Sequence, residues 1–121
     1  MNPIVSIGIA DDEPDILYLF RLILEKRGFS IVYLARDGEE AVDRQRKTPA
    51  DVVFLDYCMP FMDGLEASEK IKGEFPDTKV ILMTCGEDIG QYVPPSADIL
   101  ILKKPFVFKA MIDMIFESAS T

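Results

Sequence analysis

Short apolar runs alternate along the chain with longer segments of mixed polarity, and this alternation constrains the fold more than any other feature. Five runs stand out by their nearly uniform apolar character: Ile4–Ala10, Ser30–Leu34, Asp51–Leu55, Lys79–Met83 and Ile99–Leu102. Uniformly apolar strands are typical of parallel sheets that helices cover on both faces. The alternation therefore predicts an α/β fold with a doubly wound, five-stranded parallel sheet.

The segments between these runs carry helix signals. Pro14 suits the first turn of a helix, and Asp37 with Glu40 three residues later resembles a capping box. Four segments are predicted to be helical: 14–27, 37–47, 63–73 and 106–118. Between the fourth and fifth strands, Gly90 and the pair Pro94-Pro95 limit any helix to one or two turns. We therefore predict a short or irregular fourth helix there.

Composition excludes several classes of protein. A length of 121 residues without repeats or linkers predicts one domain over residues 1–121. No apolar segment approaches the roughly 20 residues that span a bilayer, and the N-terminus reads as a strand rather than a signal peptide, so we expect a cytoplasmic protein. The net charge is −8 without basic clusters, which argues against nucleic-acid binding. Histidine is absent, which excludes catalytic triads and His-ligated zinc sites built by this chain alone.

Polar residues follow four of the apolar runs at the point where each ends. These residues are Asp11 and Asp12, Asp56, Thr84, and the pair Lys103-Lys104. Because the carboxyl ends of parallel strands share one edge of a sheet, where open α/β sheets bind ligands, we expect these side chains to lie close together. Lys103 and Lys104 point to opposite sides of an extended chain, and the Pro-Phe that follows favours Lys104 as the site residue.

Three carboxylates at one edge point to a hard cation and to phosphoryl chemistry. Mg2+ binds through a few carboxylates while keeping several waters. A carboxylate such as Asp56 can act as a nucleophile that forms an aspartyl phosphate. Lys104 would then pair with the phosphoryl charge, and the Thr84 hydroxyl would donate to a phosphoryl oxygen. The plain structural alternatives are that Asp11 and Asp12 only cap a helix and that Asp56 is a turn residue.

Four motifs together resemble the receiver domain of two-component response regulators over the whole chain. They are Ala10-Asp11-Asp12-Glu13, Leu55-Asp56-Tyr57-Cys58-Met59-Pro60 with Asp63-Gly64, Met83-Thr84, and Lys104-Pro105-Phe106. The resemblance implies a flavodoxin-like sheet with strand order 2-1-3-4-5, which is one of the common strand orders of doubly wound sheets. It further implies a signalling switch that is not an enzyme in its own right.

The resemblance also implies a role for each site residue. Asp56 would accept a phosphoryl group from a histidine kinase or a histidine phosphotransfer protein. Asp12 would ligate Mg2+ directly and Asp11 through water, while the backbone carbonyl of Cys58 would complete the protein ligands. Pro105 would follow a cis peptide bond. Further partners would be a downstream effector protein or, after phosphorylation, a second copy of the chain.

Two other functions remain open. One is a receiver-like module that binds proteins without being phosphorylated. The other is a Mg2+-dependent phosphatase of the haloacid dehalogenase type, although such enzymes need an acid two residues after the nucleophile, where this chain has Cys58. Within the receiver interpretation, a relay intermediate or a phosphate sink is as compatible with the sequence as a switch that drives an output.

Three positions depart from the usual receiver pattern. Ile101 stands where many receivers carry an aromatic residue that reports phosphorylation, and the short fourth helix alters the neighbouring surface. We hypothesise an altered output face. Cys58 and Gly86 occupy the two positions that tune hydrolysis of the acyl phosphate, and neither orients water well, which predicts a long-lived phosphorylated form. Cys58 and Cys85 are otherwise expected to be half-buried thiols without a redox role.

Overall fold

Five parallel strands form one sheet in the order β2-β1-β3-β4-β5, as predicted. The computed structural model describes residues 5–85, 89–104 and 108–116. The strands are β1 Ser6–Ala10, β2 Ser30–Ala35, β3 Val52–Asp56, β4 Lys79–Thr84 and β5 Ile99–Lys103. Each lies within two residues of its predicted run. The order confirms the flavodoxin-like fold and makes β1, β3, β4 and β5 consecutive neighbours.

In the part of the chain that the structure describes, four α-helices pack on the two faces of this sheet. They are α1 Pro14–Lys26, α2 Gly38–Lys47, α3 Gly64–Glu74 and α4 Phe108–Phe116. Two of them, α2 and α3, directly follow an aspartate whose side chain caps the first turn. Asp37 accepts a hydrogen bond from the Glu40 amide at 2.8 Å, and Asp63 accepts one from the Glu66 amide at 2.9 Å. Such caps satisfy amides that the helix itself leaves unpaired.

The segment between β4 and β5 confirms the prediction of an irregular fourth helix. Residues 89–98 contain two single 3-10 turns, Gly90–Tyr92 and Pro95–Ala97, and no α-helix. The two prolines explain this, because proline lacks the amide that continues a helix and restricts the residue before it.

Alternate strand residues serve two separate core layers. On β3, Val53 and Leu55 pack toward α2 and α3, whereas Val52 and Phe54 pack toward α1 and α4. All four of these side chains are buried. The sheet is therefore buried on both faces, which explains why its strands read as uninterrupted apolar runs.

A buried polar network ties the sheet to α2 at the end opposite the strand carboxyl termini. Gln45 is fully buried and accepts hydrogen bonds from the Tyr33 hydroxyl at 2.7 Å and from the Ala50 amide at 3.1 Å. Its own amide group donates to the Ala50 carbonyl and to the Thr78 hydroxyl. Burial raises the pKa of Tyr33, so its hydroxyl stays protonated and continues to donate.

Removing the Gln45 side chain, the centre of this network, is expected to destabilise the fold. Gln45→Ala leaves the Tyr33 hydroxyl and the Ala50 amide without their partner and opens a cavity, so the free energy of unfolding should fall by about 2–4 kcal/mol. Urea denaturation measures the change. Lys47→Ala, at an exposed position of the same helix, should stay within about 0.5 kcal/mol of the parent. Equal losses in both variants would contradict the network's role.

Candidate functional site

Four neighbouring strands deliver polar residues to one edge of the sheet. Asp11 and Asp12 follow β1, Asp56 ends β3, Thr84 ends β4, and Lys104 follows β5. The registers pair Ala10 with Leu55, Asp56 with Met83 and Thr84 with Lys103, so the strands end at nearly the same height. Side chains far apart in the sequence therefore meet because of the sheet's topology.

The three carboxylates form a compact cluster. One oxygen from each of Asp11, Asp12 and Asp56 lies within 4.8 Å of the other two. Asp11 is 1% exposed and Asp56 is 7% exposed, whereas Asp12 faces solvent. The Glu13 amide donates to Asp11 at 3.0 Å and fixes that side chain at the start of α1. The cluster thus offers one accessible and two sheltered acidic groups.

Lys104 supplies the positive charge that faces this cluster. Its Nζ lies 3.2 Å from Asp11 Oδ2 and 3.2 Å from Asp56 Oδ1. Lys103 is exposed, so the structure brings Lys104 and not its neighbour to the acids. One ammonium faces three carboxylates, which leaves the cluster with an excess of negative charge.

The protonation equilibria reflect this imbalance. Burial and the nearby Asp11 carboxylate raise the pKa of Asp56, although the Lys104 ammonium acts in the opposite direction. Burial by itself would lower the pKa of Lys104, but the Asp11 and Asp56 carboxylates outweigh it and the pKa is raised. The ionised form of Asp56 is therefore held at a cost in free energy.

A small divalent cation fits the donor set. Mg2+ binds oxygen at about 2.1 Å, which places opposite ligands of an octahedron about 4 Å apart. The three carboxylate oxygens lie within 4.8 Å of one another, near enough to share one such ion. Cys58 lies two residues after Asp56 in the loop 57–63 and its side chain is exposed. The role of its carbonyl as a ligand stays a prediction.

Thr84 carries an unsatisfied buried hydroxyl. The residue is 0% exposed, and its Oγ1 has no hydrogen-bond partner among the described residues. Its backbone carbonyl accepts a hydrogen bond from the Lys104 amide at 2.6 Å, which connects the end of β4 to the residue that follows β5. A buried hydroxyl without a partner is costly and uncommon. It is available to donate to a group that enters the site.

Other predicted positions have mixed outcomes. Ile101 is half-buried on β5, opposite Leu82. The expectation of half-buried thiols is wrong, because Cys58 and Cys85 are both exposed. Pro105, with its predicted cis bond, and Phe106 and Gly86 lie outside the described residues.

One contact was missed because the sequence pattern gives it another meaning. Asp63-Gly64 indicates a helix start, and α3 does begin there. The structure also places Gly64 directly against the backbone carbonyl of Asp56. Glycine is a poor helix former, so its presence at the first helical position was the sequence signal that could have indicated this close contact.

Comparison with known proteins identifies one family. The sequence matches the family model of the response regulator receiver domain over residues 7–116. It is 39% identical over 89 residues to a protein-glutamate methylesterase/protein-glutamine glutaminase of Hahella chejuensis, covering 74% of this chain and 25% of that protein. It is 36% identical over 83 residues to the response regulator GtcR of Aneurinibacillus migulanus, covering 69% of this chain and 34% of that protein. The matched regions are thus about a quarter to a third of these relatives.

Solved structures agree with this match. The CheX-CheY-BeF3-Mg+2 complex of Borrelia burgdorferi includes a chain that superimposes with a TM-score of 0.82 at 26% identity, covering 93% of this chain and 87% of that one. A response regulator receiver domain protein from Clostridium thermocellum gives a TM-score of 0.85 at 25% identity, covering 93% of this chain and 92% of that one.

None of the helices in the described ranges has the length and apolar character needed to cross a bilayer.

The raised pKa of Asp56 leads to a prediction about stability. A carboxyl group whose pKa is higher in the folded chain stabilises the fold below its unfolded pKa, and this stabilisation is lost as pH rises through the folded pKa. Without divalent cations at pH 7, Asp56→Asn should therefore unfold with a free energy at least about 0.5 kcal/mol higher than the parent. The gain should shrink as pH approaches about 4.

Urea denaturation across this pH range measures the effect. Asp77→Asn, at an exposed loop position, is the matched control and should show no comparable gain. A less stable Asp56→Asn chain at pH 7 would show that the folded state stabilises the ionised carboxylate, which would contradict the raised pKa of Asp56.

The unsatisfied Thr84 hydroxyl leads to a second prediction. Thr84→Val removes a buried polar group that has no partner among the described residues, so stability should stay the same or rise by up to about 1 kcal/mol. Thr78 is the matched control, because its buried hydroxyl contacts Gln45 and the Ala50 carbonyl. Thr78→Val should therefore lose about 1–3 kcal/mol in thermal or urea denaturation. A similar loss in both variants would refute the assignment.

Proposed function

Because the chain belongs to the response regulator receiver family, we propose that it is a phospho-accepting signalling switch whose acceptor is Asp56. The phosphodonor is the phosphohistidine of a histidine kinase or a histidine phosphotransfer protein. The 121 residues contain no histidine, so the donor residue must lie outside them. One observation carries the proposal: a sheltered Asp56 carboxylate lies 3.2 Å from Lys104 inside a cluster of three acids.

The reaction needs a nucleophile, and Asp56 supplies it. A carboxylate oxygen of Asp56 forms a bond to phosphorus while the bond between phosphorus and the donor's imidazole nitrogen breaks, giving an acyl phosphate. The nitrogen leaves with the bonding electron pair and takes up a proton. Asp56 ends β3, and its side chain is 11% exposed, so the carboxylate reaches solvent only at the sheet edge. The donor must approach from that edge.

The remaining residues stabilise the transferred group. Lys104 contacts Asp56 Oδ1, so its ammonium can pair with a phosphoryl oxygen that arrives there. The Thr84 hydroxyl, which has no partner among the described residues, can donate to another. Both donors are positioned before the phosphoryl group arrives, which is the condition for effective electrostatic stabilisation.

Asp11, Asp12 and Asp56, with the Cys58 carbonyl, are the residues that would hold Mg2+. When bound, Mg2+ would offset the repulsion between the Asp56 carboxylate and the negatively charged phosphoryl group. Asp12 is the exposed member and Asp11 the buried one, which suits direct ligation by the former and an indirect contact by the latter. The excess of negative charge over Lys104 supports cation binding.

The activities named for the relatives are not assigned to this chain. The chain spans about a quarter to a third of the relatives described above, so their esterase or regulatory activities need not be its own. A downstream effector protein is the proposed recipient of the signal. The two 3-10 turns within residues 89–98 and the half-buried Ile101 support an altered output face.

The first experiment is phosphorylation by a small-molecule phosphodonor, read by intact mass. With Mg2+ the parent chain should gain one phosphoryl group, and without divalent cations the gain should be much slower. Asp56→Asn should gain none, because the nucleophile is missing. Asp77→Asn makes the same charge change at an exposed loop position and should behave like the parent.

Other outcomes separate the competing functions. If neither a small-molecule donor nor a phosphohistidine protein phosphorylates the chain under any condition, the protein-binding module becomes the better explanation. Turnover of a generic phosphomonoester would indicate the phosphatase instead. A phosphoryl group that remains on Asp56→Asn would move the acceptor to another residue.

A further inference from the structure

Helix α3 begins directly on the backbone of the acceptor residue. A Cβ atom added at Gly64 would overlap the Asp56 carbonyl oxygen and would lie 2.8 Å from both the Asp56 carbonyl carbon and Leu82 Cδ1. Real Cβ atoms essentially never approach other atoms this closely. Any side chain at position 64 therefore requires that the helix start, Leu82 or Asp56 move.

The start of the helix is fixed from several sides. The Gly64 amide donates to the Tyr57 carbonyl at 2.8 Å. The Gly64 carbonyl accepts from the buried Ser68 hydroxyl at 2.6 Å, and Asp63 caps the same turn. Leu82 is fully buried in the core layer beneath α3. These contacts oppose a retreat of the helix, so a large part of the displacement must fall on Asp56.

Asp56 has little freedom to absorb such a displacement harmlessly. It is the last residue of β3, and the next amide, of Tyr57, still pairs with the Met83 carbonyl at 2.8 Å. Its carboxylate lies at 3.2 Å from Lys104. A shift of the Asp56 backbone therefore changes the direction of the carboxylate relative to Lys104 and Asp11.

We propose that Gly64 is a positioning residue for phosphoryl transfer: the absence of a side chain there sets the position of the Asp56 carboxylate. The inference rests on the proposed function of Asp56. A misplacement of about 1 Å can lower the rate of a chemical step by about 100-fold, because the reacting groups no longer meet in the right geometry. Gly64→Ala should thus affect the rate more than the fold.

Two other glycines provide matched controls. A Cβ at Gly38, the first residue of α2, would overlap the Met62 carbonyl oxygen and lie 2.9 Å from the Met62 carbonyl carbon. This clash falls on the loop 57–63, not on the acceptor. Gly73 lies in the same helix as Gly64, and a Cβ there would meet nothing within 4 Å. Gly73→Ala should stabilise α3, because alanine is the better helix former.

The experiment compares Gly64→Ala, Gly38→Ala, Gly73→Ala and the double variant Gly64→Ala/Gly73→Ala. Urea denaturation gives the folded fraction of each. Intact mass gives the phosphorylation rate per folded molecule at saturating Mg2+ and phosphodonor. The 13Cγ chemical shift of Asp56 in metal-free protein reports the carboxylate's surroundings without any phosphoryl transfer.

Gly64→Ala should lower the rate about 10- to 100-fold and shift the Asp56 13Cγ resonance. Gly38→Ala should lose stability while keeping a rate within about 3-fold of the parent and an unshifted resonance, since its clash falls outside the acceptor. The double variant should regain folded fraction but not rate.

Two results would overturn the inference: a rate that returns with stability in the double variant, or a Gly64→Ala chain that stays unfolded in both backgrounds. Either would make Gly64 a purely structural residue. A parent chain that takes up no phosphoryl group would instead refute the proposed function. In that case the Asp56 resonance still decides whether Gly64 sets the carboxylate's position.

Discussion

The contact of one ammonium with two buried carboxylates is the interaction on which the site depends. Lys104 reaches Asp11 and Asp56 at the same distance of 3.2 Å, and both acids lie almost out of water. Burying such charges is expensive unless they are paired, and Asp12 adds a third carboxylate that Lys104 does not contact in the described structure. The site is therefore paired well enough to stay folded and remains negative enough to attract a cation. The proposed phosphoryl transfer requires that this excess be offset, because the incoming phosphoryl group is itself electron-rich.

The topology of the sheet makes this contact possible. Asp11 and Lys104 are 93 residues apart in the sequence, and Asp56 and Lys104 are 48 apart. They meet because β1 and β3 are neighbours and because β4 and β5 continue the same sheet in register. At the opposite end, the network around Gln45 is fully hydrogen-bonded and holds no excess charge. Among the described residues, the polar groups of this network are thus paired, whereas the Thr84 hydroxyl at the other end of the sheet has no partner.

Much of this architecture is predictable from the sequence, for physical reasons. Strands buried on both faces must be apolar throughout, so their ends are marked by the first polar residue, and this located Asp56 and Thr84. The preference for Lys104 over Lys103 followed from strand alternation and the residues after it. The packing of Gly64 against the Asp56 carbonyl was not foreseen, because Asp63-Gly64 is equally explained as the start of a helix. The exposure of the cysteines was mispredicted because residue type alone says little about surroundings in a loop.

The site and the surface formed by residues 89–98 depend on different parts of the chain. The acids, Thr84 and Lys104 depend on where four strands end, and the sheet fixes those positions. Residues 89–98, between β4 and β5, are free of that constraint, and their prolines favour two 3-10 turns over a regular helix. A cavity of about 140 Å³ lies between this segment and α3, lined by Leu65, Glu69, Tyr92, Val93, Pro94, Ala97 and Ile99. A change in this segment can therefore alter the surface that lines this cavity without altering the end of β3 that positions Asp56. The two features are therefore physically separate: the strand ends position the acids, Thr84 and Lys104, and residues 89–98 shape the surface that lines this cavity.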